Sequence, residues 1–202
     1  MAIYKRIVLK ISGESLAGDK ANGSILDISI LNDYARVIKE LVNEMYGIAY
    51  ETRSEEEIAL AIESKNEIYI LAKTSEVVGF CGASLNNTYY SDIITPDIAV
   101  IDYIYIKKQN RGFTLAYKLL TSLVNCLVEQ GTKKAIMQVQ TFNKQRFFHY
   151  ALSDKNIIKN TLVENGNKSY FDQILLIENL NSLQHLTMKE LMEKVIKYTK
   201  EE

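Results

Sequence analysis

One stretch constrains this chain more than any other: Ile98 to Leu120, IAVIDYIYIKKQNRGFTLAYKLL. Ile98 to Ile106 is dense in β-branched and aromatic residues, which predicts a central strand. Beyond Thr114 the pattern becomes that of an amphipathic helix. Lys107, Lys108, Arg111 and Gly112 fall where that helix begins. The first N–H groups of a helix have no intrahelical partner and carry the positive end of its dipole. A strand, a glycine-bearing turn and a helix start can therefore cradle a phosphate. The same pattern fits an ordinary strand-to-helix connection with solvated lysines, so the rest of the chain must decide.

Length and charge narrow the choice. At 202 residues the chain suits one domain, or one with an appendage. A net charge of -1 gives no basic footprint for general nucleic-acid binding. No apolar run is long enough to span a bilayer and the N-terminus does not read as a signal peptide, so the expected location is the cytoplasm. Cys81 and Cys126 lie in apolar stretches without metal-ligand spacing, which predicts two buried thiols and no metal site.

Around the organising stretch the elements follow in order. Tyr4–Ile11 alternates as a strand, and Asp27–Met45 carries an apolar stripe from Ile30 to Met45 at helical spacing. Ser54 with Glu57 makes a capping box for a helix to Ser64. Glu67–Ala72 and Val77–Leu85 read as a hairpin, and Lys133–Gln140 as a further strand with Gln138 and Gln140 on a wet side. Asn143–Leu152 reads as a short helix opening on Asn143. Asn165-Gly166 predicts a hairpin turn between Asn156–Glu164 and Ser169–Leu180. Thr187–Lys200 reads as a helix with a Thr187–Glu190 capping box and a stripe of Leu191, Met192, Val195, Ile196 and Tyr198. That stripe must pack on this chain or on a second copy, making the helix a candidate homodimer face.

Arg111-Gly112-Phe113-Thr114-Leu115-Ala116, followed by Leu119-Leu120, resembles the R-G-x-G-x-G/A signature of the GNAT superfamily of N-acyltransferases. Thr114 stands where the family has glycine or alanine; it adds a Cβ, and its hydroxyl could donate to a phosphate. The hairpin strand VVGFCGASL and the stretch from Asn143 to Tyr150 resemble further family elements, so the likeness covers residues 66–180. It implies an α/β fold with a mixed, mostly antiparallel sheet and splayed parallel strands Ile98–Ile106 and Lys133–Gln140, flanked by helices. It implies acetyl-CoA as co-substrate and an amine of a small molecule or peptide as acceptor. The amides of Arg111, Gly112, Phe113, Thr114, Leu115 and Ala116 would hold the pyrophosphate. The backbone of Ile104, Tyr105 and Ile106 would hold the pantetheine arm and the thioester oxygen, with Asn143 on the cofactor side. Tyr150 takes the place of the family's proton donor to the departing thiolate; the alternative is a tyrosine filling the helix–sheet core. Asp102, an acid inside the organising strand, either receives the amine proton or bonds Tyr103, Tyr105 or a strand amide. Tyr89, Tyr90 and Asp92 could wall the acceptor side.

The first residues carry a second likeness. Tyr4 to Gly18, with Lys10, Ser12, Gly13 and Glu14, resembles the start of bacterial uridylate kinase, where the K-x-S-G-E stretch lies at the phosphate-transfer site. It fades near Gly47, and no glycine-rich nucleotide-binding stretch follows. The expected organisation is thus a segment 1–47 completing the sheet, a GNAT-like domain 48–180 and a C-terminal helix 181–202. The rival functions are a non-catalytic CoA-binding or assembly module and a nucleoside monophosphate kinase fragment.

Overall fold

The computed structural model describes residues 7–11, 28–46, 53–85, 90, 95, 97–166 and 168–201. Along the chain they form β1 (Ile7–Ile11), α1 (Ile28–Tyr46), α2 (Glu55–Glu63), β2 (Glu67–Lys73), β3 (Val77–Ser84), β4 (Ile98–Ile106) and a 3₁₀ turn (Lys108–Asn110). Then come α3 (Phe113–Glu129), β5 (Lys134–Gln140), α4 (Arg146–Ser153), β6 (Ile157–Asn165), β7 (Lys168–Ile177), α5 (Leu180–Gln184) and α6 (Met188–Lys200). Two compact units result: Met1–Asn86 with Tyr103–Leu123, and Asn87–Asp102 with Val124–Glu202. β4 and α3 each give residues to both.

In the first unit the strand order is β1-β2-β3-β4, through the end of β4. β1 pairs antiparallel with β2 from Ile7↔Lys73 to Ile11↔Tyr69, and β2 pairs antiparallel with β3 from Glu67↔Ser84. The apolar stripe of α1 explains its place. Leu31, Ala35, Ile38, Leu41 and Val42 are buried against Ile58 and Ile62 of α2 and against Tyr69, Leu71 and Phe80 of the sheet. The expected capping box starts α2: Glu57 N–H donates to Ser54 Oγ at 3.2 Å and Ser54 N–H to Glu57 Oε2 at 2.7 Å. At the mouth of the β2–β3 hairpin Arg53 grips Glu67 through both carboxylate oxygens, at 2.6 and 2.7 Å, and Tyr69 also donates to Glu67.

In the second unit the start of β4 runs parallel to β5, from Ile98↔Lys134 to Ile101↔Met137, and β5, β7 and β6 follow antiparallel. The β6–β7 turn uses Gly166 at φ 60°, the left-handed region that favours glycine. Ile98, Val100, Ile136 and Ile174 form one apolar face with Tyr90 over it. The class is therefore α/β, with a mostly antiparallel sheet, one parallel pair and flanking helices.

Three elements differ from the sequence reading. α4 begins at Arg146, not Asn143, because Asn143 Oδ1 accepts the Gln145 N–H at 2.9 Å and closes a turn ahead of the helix. β7 stops at Ile177, and α5 follows, burying Leu180 and Leu183 while the Leu180 N–H donates to the Lys133 carbonyl at 2.9 Å. The stripe of α6 divides: Leu191 and Tyr198 are buried and Val195 is half-buried, whereas Met192 and Ile196 are exposed. Cys81 and Cys126 are buried free thiols.

Candidate active site

The residues named for the phosphate cradle lie in the first unit. The Lys107 N–H donates to the Val78 carbonyl at 2.9 Å, so it points toward β3. Backbone groups alternate along a strand, so those of Tyr105 face β3 while those of Ile104 and Ile106 face the opposite edge. Gly79 permits this close pairing: a Cβ there would sit 2.7 Å from the Tyr105 carbonyl oxygen. The Ile106 carbonyl accepts from Arg111 Nε at 3.2 Å, which ties the end of β4 to the turn. Asn110 N–H donates to the Lys107 carbonyl at 2.8 Å, closing the 3₁₀ turn. The Tyr105 phenol pKa is raised, first by burial and then by its hydrogen bond to Glu44.

The helix start is open. The Gly112 carbonyl accepts from both the Leu115 and the Ala116 N–H groups at 3.2 Å, the first bonds of α3. Residues ahead of those bonds present amides that helix geometry leaves without an intrahelical acceptor. A Cβ built on Gly112 would meet nothing within 4 Å, and Arg111, Gly112 and Thr114 are exposed. Leu115, Leu119, Leu120 and Leu123 are buried and anchor the helix behind its open first turn, with Phe113 and Ala116 half-buried. Open space, a helix start with its dipole and a guanidinium fit a pyrophosphate.

The second unit holds the other named residues. Tyr150 on α4 is 2% exposed, and its hydroxyl donates to Gln173 Oε1 on β7 at 2.6 Å. Its ring stands edge-on to Phe147 and Tyr198, with the Lys155 ammonium 5.3 Å from its centroid. Gln173, itself buried, donates from Nε2 to Asn160 Oδ1 on β6 at 3.1 Å. Neighbouring His149 has Nδ1 3.0 Å from the Gln145 carbonyl, and burial pushes its pKa down. Asn143 is exposed. Asp102 is half-buried in β4, directly after Ile101, which pairs with Met137. Tyr90 donates to Gln138 Oε1 and Gln138 Nε2 to Asp172 Oδ2, each at 2.6 Å; Asp172 Oδ1 is buried without a partner. Tyr89, Asp92, Ser12, Gly13 and Glu14 lie outside the described residues.

Sequence reasoning missed Gln173 and Asp172. A signal for Gln173 existed: it alternates with Leu175 and Ile177 on the inward side of β7, where a glutamine must find a buried partner. Among the described residues no group of three or more His, Cys, Asp or Glu could hold a metal ion, and no helix is long and apolar enough to cross a membrane.

Comparison with known proteins gives the family and the fold. The family model described as the acetyltransferase (GNAT) family matches residues 35–150. A GNAT acetyltransferase from Streptococcus pneumoniae shares the fold at a TM-score of 0.57 with 16% identity, covering 86% of this chain and 100% of that one. A Salmonella typhimurium protein solved with its cofactor acetyl-CoA gives 0.56 with 11% identity over 73% and 89%. Diaminobutyrate acetyltransferase from Paenibacillus lautus, in complex with L-2,4-diaminobutyric acid and coenzyme A, gives 0.51 with 17% identity over 74% and 91%. Separately, a 41-residue stretch is 58% identical to uridylate kinase from Parabacteroides distasonis, but it spans only 20% of this chain and 16% of the kinase. The family match covers more than half of the sequence, and the fold is shared along most of it: the chain belongs to the GNAT family of acetyltransferases, acyltransferases that draw the acetyl group from acetyl-CoA.

Proposed function

We propose that the protein moves an acetyl group from acetyl-CoA directly to an amine of a small molecule or peptide, in a ternary complex. The observation that carries this reading is the open first turn of α3 at Gly112, fastened to β4 by the Arg111–Ile106 bond. In it, the amides ahead of Leu115 hold the pyrophosphate, those of Leu115 and Ala116 being engaged by the Gly112 carbonyl, with Thr114 Oγ1 as an added donor. The outward backbone groups of Ile104 and Ile106 bind the pantetheine arm, and Asn143 serves as a further cofactor-binding residue. Holding both reactants in place supplies much of the rate. Tyr150 gives its proton to the leaving sulfur, and Asp102 takes the amine proton directly or through water. Two buried free thiols suit a reducing cytoplasm.

A non-catalytic CoA-binding module is the second reading. It is favoured by one observation: the Tyr150 hydroxyl already has a buried acceptor in Gln173. Thermal shift tests the shared part. Acetyl-CoA at millimolar concentration raises Tm, since a ligand that binds only the folded state stabilises it by RT ln(1 + [L]/Kd), while ATP and UMP do not. No shift with acetyl-CoA removes both readings, and a shift with ATP or UMP would favour the kinase-like segment. Release of CoA thiol separates enzyme from binder.

A further inference from the structure

Tyr150, Gln173 and Asn160 form a short hydrogen-bond chain with one direction. The phenol donates to Gln173 Oε1 at 2.6 Å, and Gln173 Nε2 donates to Asn160 Oδ1 at 3.1 Å. Its inner members are buried, Tyr150 at 2% and Gln173 at 6% exposed, while Asn160 sits at the exposed end on β6. A primary amide has an acceptor at one end and a donor at the other, in nearly the same shape. Turned end for end, Gln173 would offer Nε2–H to the Tyr150 oxygen. Asn160 can follow, because it too carries both an acceptor and a donor. Once the phenol has given up its hydrogen, the chain can therefore run the other way with each of the three groups still paired.

We propose that Gln173 is the positioning residue for Tyr150: its amide accepts the phenol's hydrogen at rest, and turned over it donates to the phenolate left when that hydrogen is given up. This rests on the reading of Tyr150 as proton donor. The proton passes from Tyr150 Oη to the leaving sulfur. A phenolate remains at a buried site, where an unpaired charge is costly. The Gln173 donor offsets that cost. The phenolate regains a proton from solvent after the products leave, and the amine proton taken by Asp102 passes on to solvent, so the cycle closes. A phenylalanine, leucine or methionine at 173 would pack against the ring, but it could not both accept and donate as the amide does.

The sign of a pKa change tests the idea without an acceptor substrate. If Gln173 only accepts, removing it destabilises the neutral phenol and the Tyr150 pKa falls or stays. If it also donates to the phenolate, removing it raises that pKa. Tyrosine labelled with ¹³C at Cζ reports the titration, and the Tyr150 signal is assigned by its loss in Tyr150→Phe. We expect Gln173→Met to raise the Tyr150 pKa by at least one unit and to lower CoA thiol release by roughly tenfold or more, with acetyl-CoA affinity within about threefold. Gln173→Leu, whose side chain suits a buried strand, serves if the methionine variant does not fold. A Tyr150 pKa that falls or stays put in the folded variant overturns the proposal, even where Tyr150→Phe abolishes turnover. Unchanged turnover in Tyr150→Phe overturns the donor reading, and the catalytic part of this proposal with it.

Discussion

At the scale of single residues, two positions have sharply different consequences. Tyr150→Phe keeps the ring against Phe147 and Tyr198 and removes only the hydroxyl. Turnover should fall by roughly 10²-fold, the range for losing a general acid, and the loss should appear in kcat rather than KM. Acetyl-CoA affinity should stay within a few-fold in a binding titration, because the proposed phosphate contacts lie on α3. A kcat equal to the parent's would make Tyr150 a core residue and nothing more. Gly79 carries no chemistry but fixes the end of β4. Its missing Cβ would lie 2.7 Å from the Tyr105 carbonyl oxygen and 3.2 Å from the Ile106 Cα, both backbone atoms that cannot swing aside. Gly79→Val should therefore cost about 1–3 kcal/mol in urea unfolding, as overpacking does, and should weaken acetyl-CoA binding by moving Ile106. A variant as stable as the parent would show that β3 and β4 can part without loss.

At the scale of elements, helix starts show what local chemistry controls. α6 opens on a reciprocal box: Glu190 N–H donates to Thr187 Oγ1 at 3.2 Å, and Thr187 N–H to Glu190 Oε2 at 2.8 Å. The Thr187 side-chain bond, then its backbone bond, lowers the Glu190 pKa. A carboxyl whose pKa is depressed by folding stabilises fully above its ordinary range, and that contribution is lost as pH falls through the lowered folded value. Thr187→Ala should lower Tm by about 2–4 °C at neutral pH, in line with losing one cap. It should also flatten the acid-side loss of stability, since the threonine hydroxyl is the first cause of the shift. A thermal melt series below neutrality that matched the parent's slope would show that the box contributes nothing. The contrast with α4 is instructive. Asn143 is as good a cap as Thr187 by type, yet it spends its side chain on Gln145 within a turn, and α4 starts three residues later without a side-chain cap.

At the scale of the whole molecule, the segment 1–47 decides how much chain the fold needs. β1 supplies an outer strand to β2, and α1 puts Leu31, Ala35, Ile38, Leu41 and Val42 into the core under α2. We propose that this kinase-like segment is integral rather than appended. Deleting residues 1–47 would strip the cover from Ile58, Ile62, Leu71 and Phe80, several buried side chains at about 1.5–3 kcal/mol each, which exceeds the margin of an ordinary domain. The fragment 48–202 should be insoluble or unfolded by circular dichroism. A soluble fragment that bound acetyl-CoA would make the segment a passenger.

The sequence by itself determined most of the elements and their kind, α5 excepted. The β-branched run Ile98–Ile106, the stripe of α1, the boxes at Ser54 and Thr187 and the turn at Gly166 are local signals, each complete within a few residues of chain. The family, and with it acetyl-CoA, was legible for the same reason, because its signature, Arg111 to Ala116, is one continuous stretch of chain. What depends on contacts across strands was not legible. No local rule pairs Gln173 with Tyr150, sets Gln138 between Tyr90 and Asp172, or sends Leu191 inward while Met192 stays in water. Those partnerships join residues far apart in the chain, and burial selects them: a polar group enclosed by the sheet must find whichever donor or acceptor the fold brings near it.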